Sequence, residues 1–229
     1  MNVIGITANS ISYLFFMFLL IVYCVKKKQI NEENRIYKWI LLSNYLVITV
    51  ELLFLLAIYY LNHLEPLIFA MEKIYYLYIL TWIILLTYYS LIVSNQNNKK
   101  MDKFFHDNKP LNIAIIIGIF LISAIVIFFL PLEHYYEGGY IQFSYGPAYT
   151  FMSIMSGIMM FISLFSVVYN YKSLNKKKIV PIATFSVLMS VFYVIHSFFP
   201  TILLITTSIT IVSYLMYHTI EIQMLNLQN

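Results

Sequence analysis

Charge is what this sequence has least of. Asp, Glu, Lys and Arg make up 10% of its 229 residues, where a soluble domain carries about a quarter. Hydrophobic residues make up 61% and aromatic ones 18%. A soluble fold of this size has too little interior to hide that much apolar surface, so lipid must cover the remainder. Cysteine is nearly absent, and Cys24 alone excludes an intrachain disulfide. Proline is scarce: all six (Pro66, Pro110, Pro131, Pro147, Pro181, Pro200) fall at the edges of apolar stretches, where a missing N–H costs little. There is no Gly-rich phosphate loop, HExxH, GxSxG or Cys/His cluster. Catalysis, a metal centre and a cofactor are therefore not expected. The last apolar stretch has no lysine, which excludes a retinal Schiff base there.

What is present is a series of long apolar runs. A helix needs about 20 apolar residues to cross the hydrocarbon core, and that length predicts spans over 3–25, 37–61, 67–94, 111–131, 148–171, 180–199 and 201–217. The expected fold is all-α: a polytopic membrane protein built as a seven-transmembrane-helix bundle over 1–217, with a short C-terminal extension over 218–229. The third run is longer than a span needs, so it should tilt or project. The first is not a cleavable signal in pattern, because Met1 to Ser12 carries no charge and Lys26, Lys27 and Lys28 follow the run.

Thirteen of the fourteen cations fall in alternate loops. Loop 26–38 holds Lys26, Lys27, Lys28, Arg35 and Lys38; loop 95–110 holds Lys99, Lys100, Lys103 and Lys109; loop 172–179 holds Lys172, Lys176, Lys177 and Lys178. The positive-inside rule places these three in the cytoplasm, with the N-terminus outside and the C-terminus cytoplasmic in the cell membrane. The net charge of +4 then orients the chain beside anionic lipid heads and does not indicate nucleic acid.

Ionisable groups within a span are functional candidates, because insertion charges them a few kcal/mol when unpaired. Glu51 lies in the middle of the second run, with Asn44 seven residues earlier on the same face. Glu72 and Lys73 lie near the outer end of the third. Helical rise puts Glu51 and Lys73 at depths about 6 Å apart, which suggests a pair inside the bundle. Such a pair reads either as a pin for helix register or as a ligand or proton site. The outer loop 132–147 brings Glu133, His134 and Glu137 together with four tyrosines and Gly138-Gly139, a candidate pocket for a cation or small polar ligand or, alternatively, an aromatic belt at headgroup level. His196 reads as an interfacial hydrogen-bonding residue.

Hydroxyl groups recur at helical spacing. Ser186, Ser190, Tyr193 and Ser197 do so on the sixth run, and Thr206, Thr210, Ser213 and Tyr217 on the seventh. Stripes of this kind mark packing seams between membrane helices. Met152, Met155 and Met159 on the fifth run read as packing material. Beyond the last span, Met216, Ile220, Met224 and Leu227 form an apolar stripe able to dock on a partner helix.

Four short motifs carry a family resemblance. They are Glu33-Asn34-Arg35-Ile36-Tyr37-Lys38, then Lys73-Ile74-Tyr75-Tyr76 with Leu80-Thr81-Trp82, then Ser144-Tyr145-Gly146-Pro147, and last Tyr217-His218-Thr219-Ile220-Glu221. Together they resemble the seven-helix N-terminal sensor region of bacterial histidine kinases, found widely in low-GC Gram-positive organisms. In that family the Thr-Ile-Glu stretch is commonly followed by Asn-Pro-Asp and a kinase; here it runs on as Ile222-Gln223-Met224 and stops at Asn229. The resemblance implies a sensor and signal transducer with no catalysis in this chain. It also implies a second copy or a cytoplasmic kinase as partner through the C-terminal helix. A small transporter or channel, or an assembly subunit of a membrane complex, are the competing readings.

Overall fold

A computed structural model describes residues 3–25, 32–61, 63–95, 107–137, 140–171, 179–180, 182–184, 186–188, 191 and 205–226. The fold is helical: α1 (Val3–Val25), α2 (Glu32–Tyr60), α3 (Glu65–Asn95), α4 (Lys109–Phe129), α5 (Pro147–Tyr169) and α6 (Ile205–Asn226), with a hairpin of β1 (Glu133–Glu137) and β2 (Tyr140–Tyr145) between α4 and α5. Among the described residues five helices, α1 to α5, are long and apolar enough to cross a membrane. The sixth expected span lies largely outside the described residues, and those described between 179 and 191 are helical. The seventh corresponds to α6, which begins at Ile205 and continues to Asn226.

Prolines open helices here. Pro66, Pro110 and Pro147 each occupy one of the first two positions of a helix, where their N–H would have no intrahelical acceptor and their fixed φ already suits the helix. The hydroxyl residues are tolerated in an apolar medium because they bond back onto their own helix. Thr49, Thr81, Ser156, Thr210 and Ser213 each donate to the carbonyl four residues earlier, at 2.7–2.9 Å, so these hydroxyls do not meet hydrocarbon unbonded.

The long helix α3 is the centre of the bundle, packing against α2, α4 and α5, while α6 packs against α1 and α2. Its 31 residues extend about 46 Å at 1.5 Å per residue, more than one hydrocarbon thickness. Trp82, Leu80 and Tyr89 on α3 are completely buried, together with Phe16 on α1, Tyr37 and Ile40 on α2, and Met216 on α6. The outward faces are apolar as well. Phe15 and Phe18 on α1, Leu121 and Ile122 on α4, and Phe161 and Phe165 on α5 are all exposed, as a surface solvated by lipid requires. Met152 and Met159 are buried against the core and Met155 is half-buried beside it, as packing material should be.

A seam of small polar residues joins α3 to α5. Ser90 Oγ lies 2.6 Å from Ser163 Oγ, Ser94 bonds Ser166, Thr87 donates to the Met159 carbonyl at 3.2 Å, and Asn170 donates to Asn95 Oδ1 at 3.1 Å. Hydroxyls this small let the two backbones approach closely. The equivalent stripe expected on the sixth run is represented only by Ser186, which is buried and donates to the Ile182 carbonyl at 3.0 Å; Ser190, Tyr193, Ser197 and His196 lie outside the described residues.

The hairpin closes one end of the bundle. Tyr135 pairs with Phe143 and Tyr136 with Ile141, so the register shifts by one residue between Tyr135 and Tyr136. Along β1, His134 is buried while Glu133, Tyr135 and Tyr136 are exposed, and the extra residue of the bulge, Gln142, lies on β2. Ile141 of β2 is buried against Phe54 of α2 and Ile68 of α3. Gly146, at φ 109°, turns the chain from β2 into α5. A side chain there would be strained in that backbone conformation and would stand 3.4 Å from the Pro131 carbonyl oxygen. The tight return lets the Ala148 N–H bond that same carbonyl at 3.1 Å.

Candidate functional site

Two buried polar centres hold most of the residues singled out in the sequence. The first surrounds Glu51, which is completely buried in the middle of α2. Asn9 Nδ2 of α1 donates to Oε1 at 2.8 Å, Tyr75 OH of α3 donates to Oε2 at 3.0 Å, and Thr206 Oγ1 of α6 also donates to Oε2. One carboxylate thus joins four helices. Tyr75 is held in place by Phe54, whose ring stacks on it at 6.2 Å and 14°.

The centre continues along the α2–α6 contact as a ladder with a seven-residue step. Asn44 Nδ2 donates to Ser213 Oγ at 2.7 Å, and Tyr37 OH donates to the Ser213 carbonyl at 2.8 Å. Tyr37, Asn44 and Glu51 are spaced 7 and 7, opposite Ser213 and Thr206, also 7 apart. Seven residues are nearly two turns, so one face of α2 meets one face of α6. Thr206, Thr210, Ser213 and Tyr217 are all buried, as the expected seam requires. Ser12 Oγ of α1 meets Thr207 Oγ1 at 3.2 Å, and Tyr214 OH donates to the Phe15 carbonyl at 2.8 Å, which locks α6 to α1 as well.

The second centre lies under the hairpin. Glu72 Oε1 accepts from Tyr76 OH at 2.6 Å, and its Oε2 lies 2.7 Å from His134 Nε2. The His134 ring stacks on Phe69 at 4.1 Å and 21°. Glu72 and His134 are both buried, so the first inward residue of β1 is pinned to the N-terminal part of α3. Glu133, in contrast, is exposed and bonds the Tyr145 phenol across the hairpin, holding that phenol above its usual pKa range by hydrogen bonding to the carboxylate. Glu137 pairs with Tyr140 at the end of the ladder. Of the three loop residues expected together, His134 joins the bundle and Glu133 is exposed, while Glu137 ends the strand.

The expected pair of Glu51 with Lys73 does not form. Lys73 Nζ donates to the carbonyls of Phe128 at 2.8 Å and Leu130 at 3.0 Å. These are carbonyls at the C-terminus of α4, where no N–H follows to satisfy them and the helix dipole favours a cation. The depth estimate did not include direction around α3. Lys73 and Tyr75 are two residues apart, or about 200° around a helix; Tyr75 faces α2, so Lys73 points the other way, towards α4. Glu51→Gln and Lys73→Met share no partner, and their effects on the unfolding free energy should add within about 0.5 kcal/mol. A thermal-melt double-mutant cycle in detergent checks this, and a larger coupling would restore the pair.

Sequence reasoning missed Asn9, Thr206 as a partner of Glu51, and the α3–α5 serines. Asn9 was visible as an amide in the first apolar run. The serines at 90, 94, 163 and 166 had the small-residue spacing already recognised on later helices. Among the described residues no group of three His, Cys, Asp or Glu side chains is placed to hold a metal. Comparison with protein-family models, with curated proteins and with solved structures gives no match to this chain.

Proposed function

We propose that this chain is a membrane sensor and signal-transducing module of the cell membrane, with seven spans, the N-terminus outside and α6 leading into the cytoplasm. The observation that carries the reading is the Glu51 centre. A change in how α1, α2 or α3 sits reaches α6 directly, because Thr206 shares an acceptor oxygen with Tyr75. The ladder through Asn44 and Ser213 then couples the next two turns of α6 to α2. The hairpin, bound to α3 through His134 and Glu72, supplies an outer face for a stimulus on the same helix that reaches Glu51. The basic loops support the orientation, and the four motifs resembling the sensor region of bacterial histidine kinases support a cytoplasmic kinase, or a second copy, as the partner of α6. Among the described residues α1 to α5 run unbroken, whereas transporters commonly interrupt helices at midplane.

Output through a helix depends on its rotational phase. A kinase core fused after Asn229 with one to four inserted residues should show activity that rises and falls over about one turn, since each insertion rotates the junction by about 100°. Kinase activity in membranes measures this. A flat series, in fusions that chromatograph as folded monodisperse protein, would exclude transduction through α6.

A further inference from the structure

The hairpin is tied to the bundle through a side chain of the kind that changes charge near neutral pH. Histidine does so between about pH 5 and 8, and His134 of β1 meets Glu72 of α3, Nε2 to Oε2, at 2.7 Å. Both side chains are buried, at 0% and 4% exposure. Glu72 has a second donor, Tyr76 OH, on Oε1 at 2.6 Å. His134 Nδ1 is buried with no hydrogen-bond partner among the described residues. The imidazole thus has one polar tie there, and it is to a carboxyl group.

What packs around the pair is mostly uncharged. On α3, Phe69 stacks on the imidazole. On β1, Tyr136 meets it edge-on at 6.3 Å and donates its own hydroxyl to Glu65 at 3.1 Å. On β2, Ser144 stands opposite His134 in the ladder. On α5, the Tyr149 ring lies 6.3 Å from that of Tyr76. Glu133 is exposed and bonded to Tyr145. Lys73, the one lysine or arginine outside the three basic segments, is engaged with the α4 carbonyls.

We propose that docking of the β1–β2 hairpin on α3 is proton-dependent, tight when His134 is protonated and looser when it is neutral. A neutral imidazole donates Nε2–H to the buried carboxylate and brings no charge to balance it. Protonation puts a positive charge 2.7 Å from the carboxylate and makes the contact a charge-assisted bond of about twice the strength. It also brings the pair to zero net charge. The opposing cost is Nδ1–H, a donor buried without an acceptor among the described residues. A lone N–H costs less to bury than an unbalanced carboxylate, so the protonated pair docks better. Away from α3 the imidazole has water around it and no carboxylate beside it, and the docked hairpin therefore holds the proton more tightly. By linkage, this contribution is present in full at the acid end of the histidine range and is lost as pH rises through it. The device goes beyond the sensor reading, because docking is measured without any output through α6.

Hydrogen–deuterium exchange of the purified full chain in detergent tests this from about pH 5.5 to about pH 8, with each rate divided by the intrinsic rate at that pH. Protection of the ladder amides of β1 and β2 should fall roughly tenfold across the range, the margin of a charge-assisted bond over a neutral one. Amides in the middle of α3 should keep theirs. His134→Gln retains a side-chain N–H for Glu72, and it should give a flat profile at the level the wild type reaches at the alkaline end. Glu72→Gln keeps an acceptor but removes the charge, and should abolish the gain at low pH. His63→Gln, at an exposed histidine, should leave the wild-type slope. Hairpin protection that ignores pH in the wild type, or that falls as pH is lowered, would overturn the device. So would a slope that survives His134→Gln, since another group would then carry it.

Discussion

Glu51→Ala should be among the most destabilising single substitutions in this protein, lowering the unfolding free energy by about 3–5 kcal/mol. Alanine strands three donors at once: Asn9 Nδ2, Tyr75 OH and Thr206 Oγ1. A buried donor left without an acceptor costs about 1–3 kcal/mol, and the emptied volume adds a cavity cost in a close-packed bundle. Glu51→Gln should cost much less, about 1 kcal/mol. The glutamine carbonyl still accepts, and once the Asn9 carboxamide turns, the glutamine amide can donate to Asn9 Oδ1, which has no partner among the described residues. Urea or thermal unfolding of the two variants in the same detergent measures the difference. Equal losses would mean that the carboxyl group is not the junction of the four helices.

Breaking the second buried centre should have an effect of similar size. His134→Phe keeps the ring stacked on Phe69 but removes the 2.7 Å contact with Glu72, leaving that carboxyl group with Tyr76 alone. Losing one partner of a buried pair typically costs about 3–5 kcal/mol, whereas replacing both by apolar groups can be nearly neutral. Glu72→Leu with His134→Phe should therefore be less damaging than the sum of the two single changes, with a coupling of about 2 kcal/mol. Limited proteolysis adds a local readout, because the hairpin should become cleavable in His134→Phe before the bundle unfolds. A coupling below about 0.5 kcal/mol, with the hairpin as resistant as in the wild type, would show that the pair does not hold it.

The two centres were legible in the sequence to different degrees. Glu51, Asn44 and Glu72 could be picked out by type and depth, because an ionisable or amide group in an apolar run is conspicuous, and His134 by its place among the charged residues of loop 132–147. Their partners could not. Glu51 is linked to Asn9 across 42 residues and to Thr206 across 155, and no local pattern links positions so far apart. The Lys73 assignment shows the limit: depth follows from counting residues, but the direction a side chain takes depends on how α3 is rotated against its neighbours. The hairpin had a sequence signal, Gly138-Gly139 between two runs rich in tyrosine, phenylalanine and isoleucine. It competes with the apolar runs on either side, which mark the same stretch as a loop between spans.

By itself the sequence determined the helical class, the length and apolar character of the helices, and the seam on α6. Each of these depends on residues adjacent in the chain or one turn apart, and the requirement that every backbone group in lipid be bonded within its own segment makes helix the only solution for such runs. Tertiary structure decided which helices touch, that α3 is central, that α6 returns to α1 and α2, and that Lys73 caps α4 while Glu51 gathers neutral partners. Those outcomes depend on the rotation of each helix about its axis, which is set by the best simultaneous packing of all the faces and is not encoded in any one of them.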